Sequence, residues 1–212
     1  KIIAVEKDDG LFELLKQKYE IEVKNGKLEL IHDDILDFDL SKLKAVSYKL
    51  IANIPYNITG AILKKCLSDQ FQPKLMVLLI QREVAKRIIA QDNKESVLSI
   101  SVKAYGTPNY IETVKAGSFT PMPSVDSAII TIENISKDFF QSASRRITEE
   151  QFFKLIKAGF ASKRKKLSSN LSAIFEKSKV LAIFRRFKLD DNLRAEDVDI
   201  ETWRMLAYSL SD

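Results

Sequence analysis

"YKLIANIPYNITG", Tyr48 to Gly60, joins a short aliphatic run to the start of a helical pattern that continues as "TGAILKKCLSD". A run of strand length followed by apolar residues at helical spacing is the sequence form of a β-α unit. Between the two lies "NIPYN", which puts two amides, a proline and a tyrosine where a buried strand stops. In α/β sheets ligands bind in the crevice outside the carboxyl ends of the strands. The stretch therefore reads as a site as well as a turn.

The same alternation extends to both sides. "KIIAVE" (1–6), "KLELIH" (27–32), "SYKLIAN" (47–53) and "KLMVLLIQ" (74–81) read as buried strands, and "PNYIETVKA" (108–116) with "SAIITIEN" (127–134) as a closing pair. "DGLFELLKQKYE" (9–20), "TGAILKKCLSD" (59–69), "REVAKRIIAQ" (82–91) and "SVLSISVKAY" (96–105) carry helical spacing. Strands alternating with helices imply a mostly parallel sheet covered on both faces. Near residue 140 the character changes: all five prolines lie before Ser124, and beyond that point only Gly159 interrupts the helical patterns. Three helices are expected there, over 148–175, 179–187 and 199–211, with Thr148 and Asp199 as caps.

Composition excludes several chemistries. One cysteine, Cys66, rules out an internal disulfide or a thiolate cluster, and on its helical pattern it reads as a small buried hydrophobe. His32 is the sole histidine, which removes histidine-based triads and multi-histidine metal sites. No apolar run approaches the ~20 residues of a membrane span, so a soluble, cytoplasmic protein is expected. The formal net charge is +5. Residues 1–144 hold 19 Lys+Arg against 19 Asp+Glu, whereas 145–188 hold 13 against 3. So steep a local excess points to a polyanion such as nucleic acid, or else to a solvated helix face.

Glu6 ends the first strand, where an acidic residue can accept hydrogen bonds from ribose hydroxyls or serve the following helix. Asp33 or Asp34, after the second strand, can face the crevice or cap a turn. In "NIPYN", the Asn53 amide oxygen and the Ile54 carbonyl, stiffened by Pro55, can accept the two hydrogens of an adenine amine. Accepting both would localise a lone pair that is otherwise delocalised into the ring. Tyr56 offers a flat face for the base. Phe119, ahead of the alternating prolines of "SFTPMPSVDSAII", can supply the opposite face.

"AVEKD", "HDDIL", "NIPYN", "LLIQREVAKRI", "SFTPMPSVDSAII" and "FASKRKKLSSNL" follow one another as in the ribosomal RNA adenine dimethyltransferases of the KsgA type, which the chain resembles over most of its length. The resemblance implies a Rossmann-like S-adenosylmethionine-dependent methyltransferase domain over 1–144 and a small all-helical RNA-binding domain over 145–212. It implies two methyl groups placed on each of two adjacent adenosines of small-subunit (16S) rRNA during maturation of the small subunit. Glu6, Lys7, Asp34, Ile35 and Asn53 would line the donor, with Glu6 on its ribose and Asp34 with the Ile35 amide on its adenine. Asn53, Ile54 and Pro55 would present the amine, Tyr56 and Phe119 would sandwich the target base, and Lys163, Arg164, Lys165 and Lys166 would meet RNA. No metal is expected, and the partner would be small-subunit rRNA in a pre-30S particle, met by a monomer. The family's "RRKTL" is replaced by "KRKKL", which keeps the charge and loses guanidinium forks. The family's first strand, glycine-rich donor loop and first helix are expected ahead of Glu6, so roughly 30 or more residues by the size of such a unit would precede Lys1. Two other readings share these residues: a large-subunit rRNA methyltransferase of the macrolide-resistance type, and a non-catalytic RNA- or DNA-binding factor on the same fold.

Overall fold

The aliphatic runs form strands, and the amphipathic segments between them form helices. A computed structural model describes residues 1–43, 47–141 and 147–210. The strands are β1 (Ile2–Glu6), β2 (Leu28–His32), β3 (Lys49–Asn53), β4 (Leu75–Gln81), β5 (Thr107–Val114) and β6 (Ser127–Glu133). The helices are α1 (Asp9–Lys18), α2 (Glu20–Lys24), α3 (Thr59–Ser68), α4 (Arg82–Ile89), α5 (Val97–Lys103), α6 (Glu149–Gly159), α7 (Leu167–Leu171), α8 (Lys177–Arg186) and α9 (Ile200–Leu210).

The strands fall into two ladders. β1 pairs with β2 in parallel, and a second sheet has the order β3-β4-β6-β5. Its β3-β4 pair is parallel, while β6 runs antiparallel to both β4 and β5. The expectation of a mostly parallel sheet thus holds for β1 to β4 only. β6 returns alongside β5 after the connection over 115–126, and a chain that doubles back on its neighbour gives an antiparallel partner. Among the described residues, the edge of β1 away from β2 and the edge of β3 away from β4 pair with no strand.

The core lies against the second sheet. Met76, Leu78 and Ile80 of β4, with Ile130 and Ile132 of β6, are fully buried beneath Leu63 and Leu67 of α3, Ile88 of α4 and Ile100 of α5. Each such side chain contributes about 1.5–3 kcal/mol of apolar burial. Cys66 is part of this layer, and burial pushes its thiol up to about 11, which keeps it a protonated hydrophobe. The layer runs on into the helical part through Tyr105, Phe140, Phe152 and Phe153. The boundary expected at 144/145 lies outside the described residues.

Both expected caps form. Thr148 and Gln151 make a reciprocal capping box on α6, and Asp199 Oδ1 accepts from the Thr202 amide at 2.7 Å ahead of α9. The expected helices before residue 140 all end one or two residues early, and one beyond it is divided. The one over 9–20 stops at Lys18, because Tyr19 leaves the helical region at φ −112°, ψ 28°. The one over 148–175 is broken into α6 and α7, with residues 160–166 as a turn. Four consecutive cations disfavour a helix through like-charge crowding, and the buried Asn170 offers the turn an alternative. Its Nδ2 donates to the carbonyls of Gly159 at 2.6 Å and Ser162 at 3.0 Å. Gly159 itself is demanded by packing, since a Cβ there would stand 2.3 Å from Cη2 of the buried Trp203 on α9.

Candidate functional site

Asn53 is the last residue of β3, level with Leu79 of β4, and the Ile54 amide extends the ladder by donating to the Leu79 carbonyl at 3.1 Å. The Ile54 side chain is buried, which anchors the turn from below. Pro55 then holds φ −53°, ψ 131°, and Tyr56–Ile58 form a single 3-10 turn leading into α3. The exposed Asn53 side chain and the Ile54 carbonyl make no hydrogen bond to any of the described residues. Two acceptors are therefore presented on one short, rigid segment.

Tyr56 is half-buried, and its hydroxyl lies 2.8 Å from Oγ of Ser127, a residue only 1% exposed at the start of β6. Phe119, also half-buried, sits on the connection from β5 to β6. A 3-10 turn over Ala116–Ser118 precedes it, and its amide donates to the Ala116 carbonyl at 3.2 Å. Asp126 fastens this connection at its far end. Its Oδ1 accepts from the Ala116 amide at 3.1 Å, and its Oδ2 lies 3.2 Å from both Lys115 Nζ and Arg82 Nη1. The Ala116 amide first, then Lys115, hold the Asp126 carboxyl below the ordinary aspartate range.

On the other side, Glu6 of β1 and His32 of β2 are register partners, and the loop after β2 carries Asp34 and Ile35. Lys7 Nζ pairs with Asp34 Oδ2 at 2.8 Å, while Asp34 Oδ1 accepts from the Leu36 amide at 2.8 Å. The Lys7 hydrogen bond, followed by the Leu36 amide, lowers the Asp34 pKa, and the same pair raises that of Lys7. Glu6 Oε1 accepts from the Asp8 amide at 2.8 Å, and Asp8 in turn caps α1. Glu6, Lys7 and Asp34 thus gather at the paired ends of β1 and β2. The link to the Asn53 side is indirect: Lys65 of α3 donates to the Leu36 carbonyl at 2.8 Å.

Lys163, Arg164, Lys165 and Lys166 are all exposed on the turn between α6 and α7 rather than on a helix. Lys163 also lines a groove between α3, α4, α5 and α6, together with Lys64, Lys86, Arg87 and Lys157. Among the described residues no group of three or more His, Cys, Asp or Glu side chains is arranged to hold a metal. Ser127, Asp126, Arg82 and Lys115 escaped the reading of the sequence. Their signal was the adjacent Asp-Ser pair at the start of the strand that follows a proline-stiffened loop.

Two solved structures superpose on nearly all of the chain. A dimethyladenosine transferase from Plasmodium falciparum does so with a TM-score of 0.80 at 22% identity, covering 98% of this chain and 80% of that one. The 23S rRNA methyltransferase ErmE does so with a TM-score of 0.76 at 20% identity, covering 100% and 82%. The fold is therefore that of the Rossmann-like α/β methyltransferases. Within that class the chain belongs to the ribosomal RNA adenine dimethylase family, whose model matches residues 1–212. It is similar to ribosomal RNA small subunit methyltransferase A of Dehalococcoides mccartyi, 38% identical over 210 residues covering 97% of this chain and 70% of the relative. The protein of the same name from Fusobacterium nucleatum is 34% identical over 203 residues, covering 95% and 75%.

Proposed function

We propose that this protein is an rRNA adenine dimethyltransferase that transfers methyl groups from S-adenosylmethionine to the N6 amines of two adjacent adenosines in small-subunit rRNA. Family membership and the names of its relatives support the substrate. The single structural observation that carries the chemistry is the pair of unengaged acceptors, Asn53 Oδ1 and the Ile54 carbonyl, beside the anchored Tyr56 ring.

The donor side fits the group it would hold. Among the described residues Glu6 Oε2 has no hydrogen-bond partner, and the only side chain bonded to the Asp34 carboxylate is that of the exposed Lys7, which can swing aside. Glu6 would hold the ribose, and Asp34 with the Ile35 amide the adenine. When bound, S-adenosylmethionine supplies an electrophilic methyl group on a sulfonium. This chain's residues do the rest: Asn53 and Ile54 accept the amine hydrogens, and Tyr56 and Phe119 fix the plane of the base. As the nitrogen acquires positive charge, acceptance by the two oxygens strengthens, so their contribution is largest in the transition state. Positioning is the main catalytic contribution.

The helical part, 145–212, is read as the RNA-docking unit, acting as a monomer on a precursor small-subunit particle in the cytoplasm. No helix among the described residues is long and apolar enough to cross a membrane. Incubating the protein and labelled donor with isolated small or large subunits lacking these methyl groups tests the assignment. N6,N6-dimethyladenosine is expected in small-subunit rRNA by mass spectrometry; label confined to large subunits would overturn the reading.

A further inference from the structure

The two aromatic walls of the target slot stand on segments far apart in sequence, yet both are fastened at neighbouring residues. Ser127 Oγ meets the Tyr56 hydroxyl at 2.8 Å from a buried position in β6. One residue earlier, Asp126 accepts from the Ala116 amide at 3.1 Å, at the start of the turn that ends at Phe119. The Asp126 backbone is itself tied, since its carbonyl accepts from the Arg82 amide at 3.0 Å, and Arg82 Nη1 reaches its carboxylate at 3.2 Å. Lys115 closes the set from the end of β5 at 3.2 Å. The start of β6, the start of α4 and the end of β5 therefore form one braced point from which both rings are hung.

We infer that Asp126 and Ser127 act together as a positioning pair that sets the spacing of the Tyr56 and Phe119 rings for a flipped adenine. The pair touches neither donor nor base. Ser127 orients Tyr56 through its hydroxyl, and Asp126 orients Phe119 through the Ala116 amide, with Arg82 and Lys115 keeping the carboxylate in place. Both act from adjacent positions where the loop enters β6, so the two rings are referred to one point of the backbone. The inference rests on the sandwich assigned to Tyr56 and Phe119 above.

The test places 2-aminopurine at the target adenosine of a small-subunit rRNA fragment and reads its quenching by stacking, with RNA affinity and turnover measured in parallel. Tyr56→Ala and Phe119→Ala report whether the sandwich exists; Ser127→Ala, Asp126→Ala and Ala116→Pro report whether the pair sets it. Ala116→Pro is the cleanest, since it deletes only the donated N–H, and the preceding Lys115 is already extended at φ −67°, ψ 144°. It decides the Asp126 arm should Asp126→Ala fail to fold, and Tyr56→Phe, which removes the bond to Ser127 and keeps the ring, decides the Ser127 arm should Ser127→Ala fail to fold. The expected result is loss of most of the quenching and about 10²-fold in kcat for the positioning variants, the scale of a small misplacement, with RNA Kd and KM changed no more than about twofold. Quenching abolished by Tyr56→Ala and Phe119→Ala but intact in Ala116→Pro would overturn the positioning pair and leave the sandwich standing. Quenching intact in all five variants would overturn the sandwich itself, and the pair with it.

Discussion

The Tyr56 hydroxyl and Ser127 Oγ, 71 positions apart in sequence, meet at 2.8 Å and join the turn after β3 to the first residue of β6. A tyrosine whose ring alone mattered would not need that bond. Tyr56→Phe keeps the stacking face but leaves a buried serine hydroxyl unpaired, which costs about 1–3 kcal/mol. Reduced thermal stability and intermediate activity are expected. Tyr56→Ala also loses a stack of about 1–3 kcal/mol and should be the slower of the two. Single-turnover methylation with parallel melting curves ranks them; a phenylalanine variant indistinguishable from wild type would make the hydroxyl dispensable.

Asn53→Ala removes an exposed acceptor that nothing else in the described structure uses. Stability and RNA affinity should hold, while kcat falls by about 10- to 100-fold, the worth of a charge-assisted hydrogen bond in the transition state. A wild-type rate would remove the amide from the mechanism.

Reversing charge at Lys163, Arg164, Lys165 and Lys166 should weaken RNA binding and flatten its dependence on salt. Each phosphate that is no longer neutralised lowers the slope of log K against log salt by about 0.7–0.9. Titrations at several salt concentrations read this directly. An unchanged slope would return the run to an ordinary solvated surface.

Gly159→Ala should destabilise the helical part, because the added methyl meets the ring of Trp203 and side-chain packing there has no slack. Overpacking of this kind costs about 1–3 kcal/mol. Denaturant melts of the variant would show it as a lower midpoint with an unchanged slope.

Asp126 makes a prediction about acid. Its folded pKa lies below the ordinary 3.8, through the Ala116 amide first and then Lys115. A lowered carboxyl binds fewer protons folded than unfolded, so its stabilisation is complete above 3.8 and is lost as pH falls through the folded value. The difference in melting temperature between wild type and Asp126→Asn should accordingly be largest near neutrality and shrink below pH 3.8. A difference that stays constant across that range would show that the charge on Asp126 is not what stabilises the loop.

The strands were legible because each is a compact aliphatic run, as in Leu75–Gln81; the residues proposed for the slot drew notice because amides and aromatics at a strand end have few structural uses. What stayed hidden depends on contacts distant in sequence. Near Phe160 the sequence carries Gly159 and four consecutive cations, but the apolar spacing runs on past them; what holds the turn is the amide of Asn170, which lies farther along the chain. Likewise Ser127 looks like any strand-opening serine until Tyr56 is placed against it. The break between the β1-β2 and β3-β4 ladders was invisible too, since pairing is a property of neighbours and not of a strand's own residues.

The Asn170 clasp bears on how the basic turn tolerates change. Its amide grips two main-chain carbonyls, at Gly159 and Ser162, and no side chain of the cationic run. The path of the backbone is thus written in groups that every amino acid possesses, while the charges ride on top of it. Lysines standing where the family usually has arginine or threonine leave the frame of the turn as it was. The exposed charges can drift through substitution, one cation at a time, without the fold registering the exchange.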